Sequence, residues 1–349
     1  MPFISEKRKA FLKDFFPAGI PRLWCPLLTH YRSDGAIDVD RMSAHFRHIV
    51  PWVKGFLIPG STGDGWEMDE LETLLVAEFA LMQAQKHEIH LLLGALKKDT
   101  ESVQRTISGM LKLLDAADLT GADALHRLRN KRVCGFTVCP PAGETLTQAD
   151  LEAGLSGILD RGLPVALYQL PQVTQNEVSP ETFGRIVEKY FNLAFFKDSS
   201  GRDGIATSAV DKGGVFLVRG AEGGYAKWLH EAGGPYAGFL LSTANCFARE
   251  LSMLIGHLER GEQKQAEEIS ARLTATVTEV FALVQPLPCG NAFTNANKVM
   301  DHFFAFGPGA DAVPGPLLHA KVRIPGDVLA ATGALLSRMR LMPARGYLG

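Results

Sequence analysis

A lysine closes the apolar run in "LAFFKDSSG" (193–201), and a charge carried towards a core is costly unless it is paired or gives up its proton. A neutral Lys197 would be an amine nucleophile, able to condense with a carbonyl. The plain alternative is a lysine that reaches solvent from a strand end or pairs with Asp198. Other groups have the types to serve such a nucleophile. Tyr168 ends the run "PVALYQ" (164–169), where it could relay a proton or plug a barrel with its hydroxyl at the rim. The run "GFLIP" leads into "GSTGD" (60–64), whose glycines allow close backbone approach. Ser61 and Thr62 could there turn hydroxyls and amides onto one anion, such as a carboxylate. The same tetrapeptide also reads as an ordinary turn before a helix capped by Asp69. "STAN" (242–245) places Ser242 at the end of another apolar run.

These groups need a scaffold that gathers strand ends. Eight short apolar or β-branched runs recur, at 22–26, 55–59, 89–94, 133–139, 164–169, 193–197, 214–220 and 236–242, and helical periodicity follows them. Eight such units predict an α/β fold, a closed (β/α)8 TIM barrel, in which catalytic residues sit at the carboxyl ends of the strands. An open doubly wound sheet is the competing arrangement, but no G-x-G-x-x-G follows the first run. The reading divides the chain into a catalytic barrel, 18–245, and a C-terminal helical region with an extension, 246–349. Two amphipathic helices break near Gly261, and a Gly- and Pro-rich tail (306–326) reads as an extension wrapping the surface. Residues 115–132 read as extra helix or loop without an assigned role.

Composition narrows the partners. With 36 Lys+Arg against 38 Asp+Glu in 349 residues, no long-range field draws in nucleic acid or an acidic membrane. Small molecules are the expected ligands. No apolar run approaches the ~20 residues that span a bilayer, and the N-terminal stretch lacks the pattern of a signal peptide, so the expected location is cytoplasmic. The five cysteines form no C-x-x-C pair, and suggest neither disulfides nor zinc. His45 and His48, like His87 and His90, stand three apart without a carboxylate or cysteine in the motif. They read as helix-surface residues, so no metal and no cofactor are expected.

In combination, the motifs resemble the dihydrodipicolinate synthase and N-acetylneuraminate lyase superfamily of class I, Schiff-base pyruvate aldolases. "GSTGDGWEMDELE" is similar to its G-[ST]-T-G-E segment, "YQLP" to its Y-N-x-P, "FFKDSSG" to its K-[DE]-[ST]-[ST]-G, and "GFLLSTAN" to its eighth-strand motif. The likeness runs from about Gly19 to Asn245 and continues more weakly into the helical region. It implies that Lys197 forms the Schiff base, Tyr168 relays the proton, and Ser61 and Thr62 hold the substrate carboxylate. It also implies a 2-keto acid and an aldehyde as substrates, and a homodimer or homotetramer.

The departures from the family pattern carry their own expectations. Asp64 stands for the family's glutamate. "VCPPAGE" puts Pro141 and Ala142 where many synthases have tyrosines, and Val173 replaces an arginine that binds the second substrate's carboxylate. Cys25 takes the place of a threonine, either lining the site or inert. Cys25, Ala142, Val173 and Ser242 are therefore the expected pocket lining. These changes point away from the synthase reaction, towards aldol cleavage or condensation. Dehydration of a keto-deoxy sugar acid, or 2-keto-acid binding with weak turnover, are the alternatives.

Overall fold

The structure is a computed structural model that describes residues 2–116 and 123–349. Its strands are β1 (Leu23–Cys25), β2 (Gly55–Ile58), β3 (His90–Gly94), β4 (Val133–Val138), β5 (Val165–Gln169), β6 (Leu193–Asp198), β7 (Phe216–Arg219) and β8 (Gly238–Leu240). All eight lie within or against the apolar runs, and nearly every position is buried, as a parallel sheet covered on both faces requires. Each strand pairs in parallel with the next, and β8 pairs with β1, closing the barrel. The register sets Tyr168 of β5 beside Lys197 of β6.

The helices are α1 (Pro2–Phe15), α2 (Val39–Ile49), α3 (Glu70–His87), α4 (Thr100–Ala116), α5 (Ala124–Asn130), α6 (Gln148–Leu159), α7 (Pro171–Thr174), α8 (Pro180–Lys189), α9 (Gly204–Thr207), α10 (Ala244–Glu259), α11 (Gln263–Val284), α12 (Ala292–Phe306) and α13 (Gly326–Arg338). Their starts follow from sequence chemistry. Asp69 caps α3 in a reciprocal box with Glu72, Thr147 does the same for α6 with Asp150, and Ser179 caps α8 ahead of Pro180. The expected extra segment at 115–132 becomes the end of α4 and all of α5, with 117–122 outside the described residues.

Aromatic rings fill the lower barrel: Trp24 packs edge-on against Phe195 at 5.3 Å and Phe16 against Phe195 at 5.7 Å. α1 is locked beneath by Arg8. Its fully buried guanidinium donates to the carbonyls of Leu193 (2.9 Å), Val187 (2.7 Å), Tyr190 (2.7 Å) and Gly213.

The C-terminal region is more than an appendage. α12 is buried at every position from Thr294 to Ala305 and packs against α10, α11 and α13, so it is the central helix of that region. The Gly- and Pro-rich tail is ordered. It bridges Leu317 to Arg323, buries Leu318 and Ile324, and leads into α13.

The histidine expectation needs correction. His90 lies on β3, and His45 of α2 is fully buried. His45 accepts or donates 3.0 Å from His30, donates through Nε2 to the Asn245 carbonyl at 2.8 Å, and lies 3.4 Å from Asp301. The missing carboxylate is on α12, far away in sequence and so invisible to a local motif. His30, His45 and Asp301 are close enough to hold a metal ion. However, Asp301 is already paired with Arg41 at 2.8 Å and accepts from Tyr347 at 3.0 Å, which makes the group a closed polar network.

Candidate active site

Lys197 sits one residue from the carboxyl end of β6, buried among apolar neighbours. It has no hydrogen bond or ion pair among the described residues. Its Nζ lies 3.9 Å from the centre of the Tyr168 ring. Asp198, the partner a surface lysine would take, accepts from the Ser200 amide instead. Burial pushes the Lys197 ammonium down to about 7. Charge interactions with Cys139, Glu222 and Cys25 oppose it, and burial in turn raises both thiols. Room for the side chain comes from Gly220 after β7. A Cβ there would fall 2.7 Å from Lys197 Cε and 2.2 Å from Ser199 Oγ.

Tyr168 sits one residue from the carboxyl end of β5 as a buried phenol. Burial raises its pKa, against which the hydroxyls of Ser199 and Ser61 favour the anion. The 60–64 loop is fixed from both sides. Gly63 has no room for a Cβ, which would meet the Leu27 carbonyl at 2.4 Å, and Asp64 adopts a left-handed backbone with φ +62°. From above, Thr294 of α12 donates to the Ser61 carbonyl at 3.2 Å and the Thr62 carbonyl at 3.1 Å, and Asn291 donates to Ser61 at 3.2 Å. Lys298 pairs with Asp64 at 2.8 Å in a fully buried contact, and Tyr31 donates to the same carboxylate at 3.0 Å. The carbonyls are thus held by α12, while the Ser61 and Thr62 amides make no backbone hydrogen bond.

The remaining expected lining residues divide. Cys25 is buried at the end of β1 within electrostatic reach of Lys197, and Val173 of α7 packs on a cluster of Leu96, Cys139, Tyr168 and Leu170. Ser242 is present but engaged, donating to Glu222 at 2.6 Å. Ala142 is not part of the cluster: its amide donates to the Lys98 carbonyl at 2.8 Å, and Pro141 abuts Gly154 of α6.

Sequence reasoning did not single out several residues that stand beside these groups. Glu222 follows β7 in "RGAEGG" and could have been read as a strand-end carboxylate. It accepts from Ser242, from the amide and hydroxyl of Thr243, and from Tyr225 at 2.9 Å. Trp66 was visible inside the "GSTGDGW" motif. Phe293, Thr294 and Lys298 had no local signal, because only the tertiary position of α12 brings them over the barrel.

A closed (β/α)8 barrel with an unpaired, desolvated lysine beside a phenol defines a class, the barrel enzymes equipped for Schiff-base chemistry. The particular family follows from comparison. The profile of the Dihydrodipicolinate synthetase family matches residues 122–300, and the chain belongs to that family of class I aldolases and lyases. A 4-hydroxy-tetrahydrodipicolinate synthase of Agrobacterium fabrum is 26% identical over 281 residues, 80% of this chain and 86% of the relative. One from Kineococcus radiotolerans is 26% identical over 321 residues, 91% and 92% of the two chains. Among solved structures, a prophage protein of the dihydrodipicolinic acid synthase family from E. coli K12, in complex with pyruvate, aligns with TM-score 0.72 and 17% identity. It covers 93% of this chain and 100% of that one. At that identity the likeness concerns the fold.

Proposed function

We propose that Lys197 condenses with the C2 ketone of pyruvate or a related 2-keto acid, and that the resulting iminium carries aldol cleavage or condensation. The observation supporting this most directly is an unpaired, buried lysine near neutral pKa against Tyr168. The amine adds to the ketone and water leaves, giving the iminium. In cleavage, Tyr168 takes the C4 hydroxyl proton as the C3–C4 bond breaks, so the aldehyde departs and its electron pair is kept as the enamine. Protonation at C3 and hydrolysis then release pyruvate and the free lysine. Ser61 and Thr62 hold the carboxylate through hydroxyls and amides in a loop clamped by α12. A second substrate with its own carboxylate finds Val173 where an arginine would be needed, so the synthase reaction is disfavoured. The same proposal includes assembly as a homodimer or homotetramer and a cytoplasmic location.

Borohydride reduction in the presence of pyruvate tests it. The expected result is a stable secondary amine on Lys197, found by peptide mapping. No adduct, or one on another lysine, sinks the assignment. Product analysis then separates aldol chemistry, which releases pyruvate, from dehydration, which leaves the carbon skeleton whole.

A further inference from the structure

A cavity of about 360 Å³ opens between α2, α10, the end of α12 and the chain that follows α13. None of Lys197, Tyr168, Ser61 or Thr62 lines it. That volume suits a small organic molecule. Its walls are apolar and partly flat, with Trp52 from beyond α2, Phe304 from α12 and Leu341 from the segment after α13.

Two cations enter this space, Arg249 from α10 and Arg340 from just past α13. Neither guanidinium has a hydrogen bond or an ion pair among the described residues, and Arg249 lies 5.9 Å from the centre of the Trp52 ring. Glu250 is the acid on the lining, and it pairs with neither arginine. Burial holds His48, also on the lining, below its ordinary pKa, so it adds no charge near neutral pH. The lining therefore keeps an excess of positive charge.

Arg340 is placed there at a cost. Its backbone is left-handed, φ +53°, at the first position beyond α13. Its amide donates to the Ser337 carbonyl at 3.1 Å and the Leu341 amide to the Leu336 carbonyl at 2.8 Å, a pair of bonds that usually closes on glycine. The helix end thus does not account for a guanidinium. The cavity also touches the chain terminus, because His48 stacks on Tyr347 at 4.9 Å. Tyr347 in turn donates its hydroxyl to Asp301 at 3.0 Å and its amide to the Phe304 carbonyl at 2.9 Å. An occupant would rest against the segment that ties down the end of α12.

We infer that this cavity is a binding site for a small organic anion, a phosphate monoester or carboxylate with a flat apolar body. The two guanidiniums would take the oxyanion through their N–H donors, and the body would lie along Trp52 and Phe304. The site is separate from that of Lys197 and does not depend on its chemistry. An uncharged aromatic would leave both cations unmatched, and inorganic phosphate would leave the apolar walls uncovered.

Calorimetric titration of the full chain with phenyl phosphate, benzoate, inorganic phosphate and benzyl alcohol tests the assignment. At least one of the aromatic anions should bind saturably and roughly tenfold or more tighter than inorganic phosphate, while benzyl alcohol gives no measurable binding. The tighter of the two anions names the head group. Arg249→Gln and Arg340→Gly should each weaken that binding by about tenfold or more. Arg340→Gly should unfold at no lower a temperature than the wild type, because glycine suits a left-handed position. Arg47→Gln removes an exposed charge outside the lining and should bind as the wild type does, and added pyruvate should not displace the anion. Absence of saturable binding, equal affinity for inorganic phosphate, displacement by pyruvate, or unchanged affinity in both cavity variants would overturn the inference.

Discussion

Lys197 shows that a residue can work against the fold that carries it. Its folded-state pKa, about 7, lies below its ordinary value of 10.5, so between those values the unfolded chain binds the proton that the native protein has lost. Native stability therefore rises with pH across that window, and below pH 7 the cost of burial is fully present. A shift of this size is worth on the order of 5 kcal/mol. Lys197→Met should accordingly raise the unfolding free energy at pH 6 by a few kcal/mol, with the gain shrinking towards pH 10, while abolishing the pyruvate adduct. Urea denaturation of both proteins at the two pH values measures it. Equal stability at pH 6 would mean that the ammonium is hydrated or paired in solution. The lysine was legible in the sequence because an apolar run ending in Lys is unusual in itself. Its freedom from Asp198 was not, since a strand sends neighbouring side chains to opposite faces and only the closed barrel decides what each face meets.

The elements most readable from sequence were those with a local period. All eight strands and the break between α10 and α11 follow from apolar runs and Gly261. α12 has polar positions in its sequence, but they too are buried, Asn297, Lys298 and Asp301 among them. A face that reads as solvent-facing is thus packed inside, and its role is set by tertiary contacts alone. It carries the buried Lys298 that meets Asp64. Removing one member of such a pair strands a charge, at a cost of about 3–5 kcal/mol, whereas removing both leaves none. Lys298→Met should thus destabilise the protein and raise KM for pyruvate more than it lowers kcat, because the carboxylate loop loses its anchor. Lys298→Met combined with Asp64→Asn should recover most of both, asparagine being tolerant of the left-handed backbone at that position. A double variant as impaired as the single one would show that Lys298 has a role beyond neutralising Asp64.

At the scale of the whole molecule, the two ends of the chain hold the barrel from opposite sides. α1 reaches under it with Arg8, whose guanidinium serves carbonyls at the start of β6, the end of α8 and the approach to β7. Arg8→Met takes the guanidinium donors from those buried carbonyls, of which Tyr190 keeps the Leu193 amide at 3.3 Å, so a loss of roughly 3–5 kcal/mol is expected in urea denaturation, with little change in the Lys197 adduct while the protein stays folded. A change within 1 kcal/mol would mean that water replaces the guanidinium. At the other side of the barrel, Thr294 grips Ser61 across 233 positions of sequence. Protein synthesis is directional, and a ribosome adding about 5–20 residues each second takes on the order of ten seconds or more to travel from one to the other. By the time Asn245 is made, every barrel strand exists, yet the 60–64 loop proposed to hold the keto acid is still without its clasp. A nascent chain stalled there would own the amine but not the grip, so on the proposed reading chemical competence waits until Thr294 has been made.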